Sequence, residues 1–299
     1  MYRVWITNQA KSYFCPLILR VIVPAFSTHA FNLMPAIQPA RLKHQTAYLA
    51  SVFEQPEEFR KALSNLLNYY SDHTHRPGQG GVHSTLIESY QVPGQVIREI
   101  IFELKPIIQA KPQVTLQLSQ FIWQEPVLEY HLIASALIGQ ISPFPPDQVI
   151  HTIQAWLEAK PEDQIMRALI NQGMLRLRRE QTTTYLEVAQ EWFSRSSVEY
   201  RRYGLWAFYY LAIDPDYRNL PEVFHLLTPL LRSTPNELRP DILNITQNLA
   251  HYAPQETAYL LKQNINRSDA PDIAWLTRNL IPEFPQSIQA NLREALRSI

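Results

Sequence analysis

The chain reads as an all-α protein, a solenoid of stacked helix pairs. Three observations predict this. Apolar residues recur at helical spacing from about Ala40 onward. Only 7 glycines stand against 23 prolines, which suits many short helices bounded by prolines and not a glycine-turned β protein. The second helices of successive pairs start near Pro126, Glu162, Ser197, Asn236 and Pro271, giving steps of about 36, 35, 39 and 35 residues, a spacing typical of helical repeat arrays.

Taken in order, the pattern predicts helices near 41–55, 57–70 and 94–109, with a polar loop from Ser71 to Gly81. Pairs follow at 112–122/126–141, 146–158/162–178, 184–194/197–213, 220–232/236–252 and 254–266/271–282, with a last helix near 285–298. Pro126, Pro161 and Pro271 stand at helix starts, where a missing N–H is harmless, while Thr184, Ser197 and Asn236 are placed to cap first turns. Each pair buries its apolar face only by stacking on its neighbours. Core candidates are therefore Leu132, Leu137, Ile153, Trp156, Leu169, Leu186, Trp192, Leu205, Phe208, Leu211, Leu227, Leu243, Leu260, Leu276 and Leu280. A curved stack would leave a concave groove lined by the second helices, where binding residues belong.

The domain reading is an N-terminal extension, 1–33, and a repeat domain, 34–299. The repeat domain divides into N-terminal helices at 34–110 and five pairs with a capping helix at 111–299. The extension holds Arg3, Lys11 and Arg20 and no acidic residue. It reads either as a disordered lead or as sequence upstream of a native start at Met34. The apolar run from Pro16 to Phe26 is broken by Arg20, and no segment approaches the roughly 20 apolar residues of a membrane span. Lys+Arg and Asp+Glu are both 27, so any nucleic-acid site must be a local patch. The single cysteine, Cys15, excludes an internal disulfide and a cysteine-ligated zinc cluster, and it suits a reducing cytoplasm. A monomer without cofactor or metal is expected.

Several motifs match one known family in order. Ile122-Trp123-x-x-Pro126-x-x-Glu129 followed by Ala134 resembles the Leu-Trp-x-x-Pro-x-x-Glu-x-x-x-x-Ala segment of the AlkD-type DNA alkylation repair glycosylases, which are built from HEAT-like repeats. Glu191-Trp192-Phe193 with Tyr200-Arg201-Arg202-Tyr203 is similar to that family's Trp-Ile … Trp-x-x-Arg helix pair. The stretch Asn248 to Pro254 resembles its Leu-Arg-Glu-x-x-x-x-x-Pro run, and Tyr90 to Pro93 its early Gly-Ile-x-x-Pro helix entry. The likeness spans about 40–297. It implies a concave DNA cradle, with a carboxylate beside two tryptophans stabilising the cationic sugar that forms as an alkylated purine departs.

In this register the family's Trp-Trp-Asp-x-x-Asp run falls on Pro161 to Met166, placing Met166 where the acid belongs and Glu162 at the tryptophan. The second site tryptophan maps near Asn244. Arg202 matches the arginine that contacts the DNA backbone. Losing a preorganised charge of this kind lowers a rate by about 10²–10³-fold. The expectation is therefore a DNA-binding relative without a catalytic residue, unless Glu162 or Asp163 replaces the acid. A protein-interaction scaffold holding a peptide segment in the groove is the alternative from another class.

The candidate DNA-binding residues are Arg202, Arg201, Trp206, Arg167, Arg176, Arg178, Arg179 and Asn244. Phosphate binding needs several of these cations on one face, and neighbouring acids at Glu162, Asp163, Glu180, Glu187, Glu191 and Glu199 could instead neutralise them along solvated helices. Trp206, with Tyr203, Tyr209 and Tyr210, could stack on bases or belong to the core. His73, His75 and His83 surround the glycine-rich 76–81 stretch but match no zinc spacing, and Glu125 with Glu129 could form an acid/base pair or lie solvated.

Overall fold

The computed structural model describes residues 38–71, 87–143, 145–265 and 271–297. The N-terminal extension, both possible starts, Cys15 and the three-histidine loop lie outside the described residues. Among the described residues the chain is all helical, apart from one parallel bridge between Glu88 and Val127.

Three helices come first: α1 (Pro39–Ser51), α2 (Pro56–Tyr69) and α3 (Gly94–Ala110). The first pair is α4 (Pro112–Trp123) with α5 (Leu128–Ile138). In the second, α6 (Asp147–Glu158) partners a helix in three pieces: α7 (Asp163–Ala168), a π-helical turn at Leu169–Gly173, and α8 (Leu175–Glu180). The third is α9 (Thr182–Ser194) with α10 (Val198–Ala212). In the fourth, α11 (Leu220–Arg232) partners α12 (Arg239–Tyr252), which is entered through a 3₁₀ turn at Asn236–Leu238. The fifth is α13 (Pro254–Ile265) with α14 (Pro271–Leu280), and α15 (Gln286–Arg297) closes the array.

Prolines open α1, α2, α4, α13 and α14, where a locked φ and absent N–H fit the first turn. Pro106 and Pro229 depart from the expected punctuation, since both lie inside helices, α3 and α11, near their C-terminal ends. Ser197 does stand at the N-cap of α10, but its hydroxyl donates to Glu199 Oε2 at 2.6 Å and caps no backbone amide. Thr184 lies within the first turn of α9, not at its cap.

Thirteen of the fifteen core candidates named above are buried; Leu132 and Leu243 are partly buried against the same core. At two crossings packing is closest where glycine stands. A methyl on Gly139 would lie 1.7 Å from the Gln172 carbonyl oxygen of the π turn. One on Gly204 would lie 2.7 Å from the Ala189 carbonyl oxygen and 2.8 Å from Phe193.

The second helices pack on one another from pair to pair, α3 on α5, α5 on α7 and its π turn, that turn on α10, α10 on α12, and α12 on α14. The first helices α4, α6, α9, α11 and α13 approach each other far less closely. The second helices thus form the continuous, closely packed row of the array.

Candidate functional site

Three arginines stand at equivalent places on successive second helices: Arg167 on α7, Arg202 on α10 and Arg239 on α12. Each reaches the next helix in the row. The Arg167 guanidinium carbon lies 4.1 Å over the Trp206 ring. Arg202 Nε donates to Asp241 Oδ2 at 2.9 Å. Arg239 Nη2 donates to Asp272 Oδ1 at 2.9 Å, and its guanidinium lies 5.1 Å over Trp275. Each receiving residue belongs to a pair one turn apart on its helix, Tyr203 with Trp206, Asp241 with Asn244, and Asp272 with Trp275. In the middle pair the aromatic is replaced by exposed Asn244, whose amide oxygen and backbone carbonyl accept from Asn248 Nδ2. Among the described residues Arg202 therefore differs from its two counterparts in having no ring stacked on it, and its side chain is 29% exposed.

Trp206 is 2% exposed, with its indole Nε1–H donating to Asp241 Oδ1 at 3.0 Å. Asp241, 6% exposed, thus uses one oxygen for Trp206 and the other for Arg202. A chain of contacts, Arg167 to Trp206 to Asp241 to Arg202, joins α7, α10 and α12. This corrects the expectation that Trp206 stacks on bases: one face carries Arg167, and its edges meet Tyr209 and Tyr210 at centroid distances of 5.4 and 5.7 Å. Tyr203 is likewise buried, its hydroxyl donating to the Leu157 carbonyl at 3.1 Å.

The other expected arginines divide. Arg178 is buried in an ion pair with Asp214, Nε to Oδ2 at 2.9 Å, and its Nη1 donates to the Asn171 carbonyl at 3.0 Å. It is withdrawn as a phosphate ligand, because its charge is spent inside the fold. Arg176 grips Glu180 through two parallel bonds, 2.5 and 2.9 Å, and donates Nη1 to the Gln140 carbonyl at 3.1 Å, so its fork is occupied. Arg179 faces two carboxylates, Asp214 at 3.2 Å and Asp216 at 3.4 Å. Arg195, just past the C-terminal end of α9, pairs with Glu191 at 2.6 Å and stacks on Tyr200. Arg201 is partly buried, and its Nε is buried without a hydrogen-bond partner, as are those of Arg167 and Arg239.

The acids are distributed as follows. Met166 is 1% exposed, so the position matched to the family's carboxylate lies inside the core. Glu162 Oε1 accepts the Ile87 N–H at 3.1 Å, which commits it to a structural strap. Asp163, by contrast, is exposed on the first turn of α7. Burial pushes the Tyr203 hydroxyl pKa up, and the charge of Glu199 pushes the same way. Glu125 and Glu129 form no acid/base pair. Glu129 is 2% exposed and accepts from Ser89 Oγ at 2.8 Å, Tyr90 N at 3.0 Å and Val92 N at 3.4 Å. Glu125 faces Arg60 at 3.5 Å. Among the described residues no cluster of His, Cys, Asp or Glu is placed to hold a metal ion, and no helix is long and apolar enough to cross a membrane.

Stacked helix pairs with an arginine and aromatic ladder along the closer-packed row define an all-α helical repeat protein. The family model for DNA alkylation repair enzymes matches residues 63–274, and the chain belongs to that family. Comparison with curated proteins and with solved structures gave no match.

Asp241, Arg239, Asp272 and Trp275 escaped the reading of the sequence. One signal could have found Arg239: Arg167, Arg202 and Arg239 recur 35 and 37 residues apart, one repeat each. Tabulating charged residues by position within the repeat exposes this row of arginines, whereas Trp206, Asn244 and Trp275 do not keep the spacing.

Proposed function

We propose that the chain binds duplex or branched DNA along its row of second helices, centred on Arg202, and that it does not excise bases. Family membership supplies the partner class. The observation that carries the rest is the pairing of a partly exposed Arg202 side chain with a buried Met166. A cation stands at the position matched to backbone contact, and an apolar side chain sealed in the core stands at the position matched to the acid. Arg201, Arg167 and Asn244 would add to the contact, and so would the Nη groups of Arg179, which is held through Nε alone as Arg202 is; Arg176 would contribute little because Glu180 and the Gln140 carbonyl occupy its whole fork. A phosphate track also explains why an overall neutral chain can bind DNA, since the contact needs only local charge.

The test is a gel-shift salt series with wild type and Arg202→Ala, run beside release of alkylated purines from methylated duplex. Wild type should retain duplex at low salt. Arg202→Ala should weaken it and lower the log–log salt slope by about 0.9, the contribution of one phosphate. Failure of the wild type to hold any DNA at low salt would end this reading and favour the protein-scaffold alternative.

A second reading keeps the chemistry through Asp163, which is exposed on the first turn of α7 beside the strapped Glu162. It predicts catalytic base release that vanishes in Asp163→Asn and survives in Glu162→Gln. The lead reading predicts no release from any of the three proteins.

A further inference from the structure

We propose that Asp241 is a positioning residue for DNA contact: it keeps hold of the Nε edge of Arg202 while the Nη edge meets phosphate. The proposal rests on the DNA reading above and extends it to a residue outside the motif matches. Three features carry it.

The first is that Asp241 faces two donors from one helix, Arg202 Nε at 2.9 Å and Trp206 Nε1 at 3.0 Å, and an ionised carboxylate is the group that can accept from both at once. The second is that Trp206 cannot yield, because it is 2% exposed and pinned beneath Arg167 at 4.1 Å. Asp241 is thereby fixed independently of Arg202. The third is geometry: the carboxylate engages only the Nε side, Nη2 donates one long bond to the Glu237 carbonyl at 3.4 Å, and among the described residues no ring stacks on the guanidinium.

An arriving phosphate could instead pull Arg202 away from Asp241. That trade is disfavoured, because it strands a carboxylate that is only 8% exposed with one remaining donor, a large penalty set against one backbone contact. A guanidinium can serve both anions through separate edges, whereas a lysine ammonium is a single point of charge.

The experiment is a double-mutant cycle on duplex affinity with Asp241→Asn, Arg202→Ala and the double variant, with Arg202→Lys alongside. Asparagine offers one acceptor to two donors and releases the arginine. Removing a negative charge by itself favours DNA, so a fall in affinity is not an electrostatic effect of the lost charge, and the cycle separates lost posture from a structural loss. Asp241→Asn should bind roughly five- to tenfold more weakly than wild type, the double variant no worse than Arg202→Ala, and Arg202→Lys no better than Arg202→Ala.

Tighter binding by Asp241→Asn would overturn the proposal and make Asp241 a mask over Arg202. An additive double variant would overturn it too, since a merely structural loss adds to any other. Should Asp241→Asn fail to fold, nitrogen-15 arginine spectra of the wild type decide. The Arg202 Nε–H signal, identified by its loss in Arg202→Lys, must hold its place when duplex is added, and a shift to an unpaired position refutes the idea. No duplex retention by the wild type sinks the DNA reading and this proposal with it; retention lost in Arg202→Ala but unchanged in Asp241→Asn sinks the proposal alone.

Discussion

Asp214 shows how single residues divide the arginines between structure and surface. It is 4% exposed and holds Arg178 at 2.9 Å and Arg179 at 3.2 Å. Burial pushes its carboxyl pKa up, but the bonds from Arg178, the Asp216 amide and Arg179 outweigh this, leaving it below the ordinary carboxylate value. A carboxyl whose folded pKa is depressed contributes stability that is complete above its unfolded pKa, near 3.9, and is lost as pH falls through the folded value. Asp214→Asn strands a buried Arg178 and should lower stability at pH 7 by about 3–5 kcal/mol. Urea denaturation at pH 7, 5, 4 and 3 should show the gap between wild type and variant held to about pH 4 and narrowing below it. A gap unchanged down to pH 3 would mean that the pair is not the source. Nothing in Arg176-Leu-Arg178-Arg179 distinguishes the buried arginine from its neighbours, because its partner lies a full repeat away. Arg202 was legible through a motif; its anchor Asp241 was not, for the same reason.

At the scale of elements, helical periodicity carried most of the information. The five pairs and the closing helix stand where apolar spacing puts them, because each helix must bury a continuous stripe and that stripe repeats every turn. The π turn at Leu169–Gly173 was not legible within the expected 162–178 helix, since it leaves no mark in the apolar pattern of its own strand of sequence. Its nearest correlate is distant: Gly139 leaves room for the Gln172 carbonyl that the turn pushes outward. Gly204 is the equivalent tight place between α9 and α10, and it is open to test. A methyl there meets the Ala189 carbonyl and the Phe193 backbone nitrogen, neither of which can rotate away. Gly204→Ala should cost about 1–3 kcal/mol and lower the Tm by roughly 3–10 °C. Gly94→Ala, at the first position of α3 with nothing within 4 Å of the added carbon, should be neutral or slightly stabilising by up to about 1 kcal/mol. Equal effects at the two glycines would show that helix propensity, and not the crossing, sets the cost.

For the whole molecule, 27 basic and 27 acidic side chains leave no net charge to draw DNA, so affinity must come from the few cations that keep part of the side chain open to a phosphate. The basic residues of pairs two and three form a cluster in the sequence, yet the fold spends much of it: Arg176 on Glu180, Arg178 and Arg179 on Asp214, Arg195 on Glu191. Counterion release reports the difference directly. An arginine whose Nε, Nη1 and Nη2 are all engaged, as in Arg176, carries no counterion exchange of its own when DNA arrives, whereas Arg202 is held at Nε and only loosely at Nη2. Arg176→Ala should therefore leave the salt slope unchanged and the low-salt affinity within about twofold, whereas Arg202→Ala lowers the slope by about 0.9. Arg201→Ala should behave as Arg202→Ala does, since among the described residues Arg201 has no carboxylate partner and its Nε is unsatisfied in the free protein. The measurement is the slope of log K against log salt for the three variants on one duplex. A drop for Arg176→Ala as large as that for Arg202→Ala would show that the Glu180 pair opens on DNA, extending the track along α8 and making the sequence cluster, not the repeat ladder, the guide to the interface.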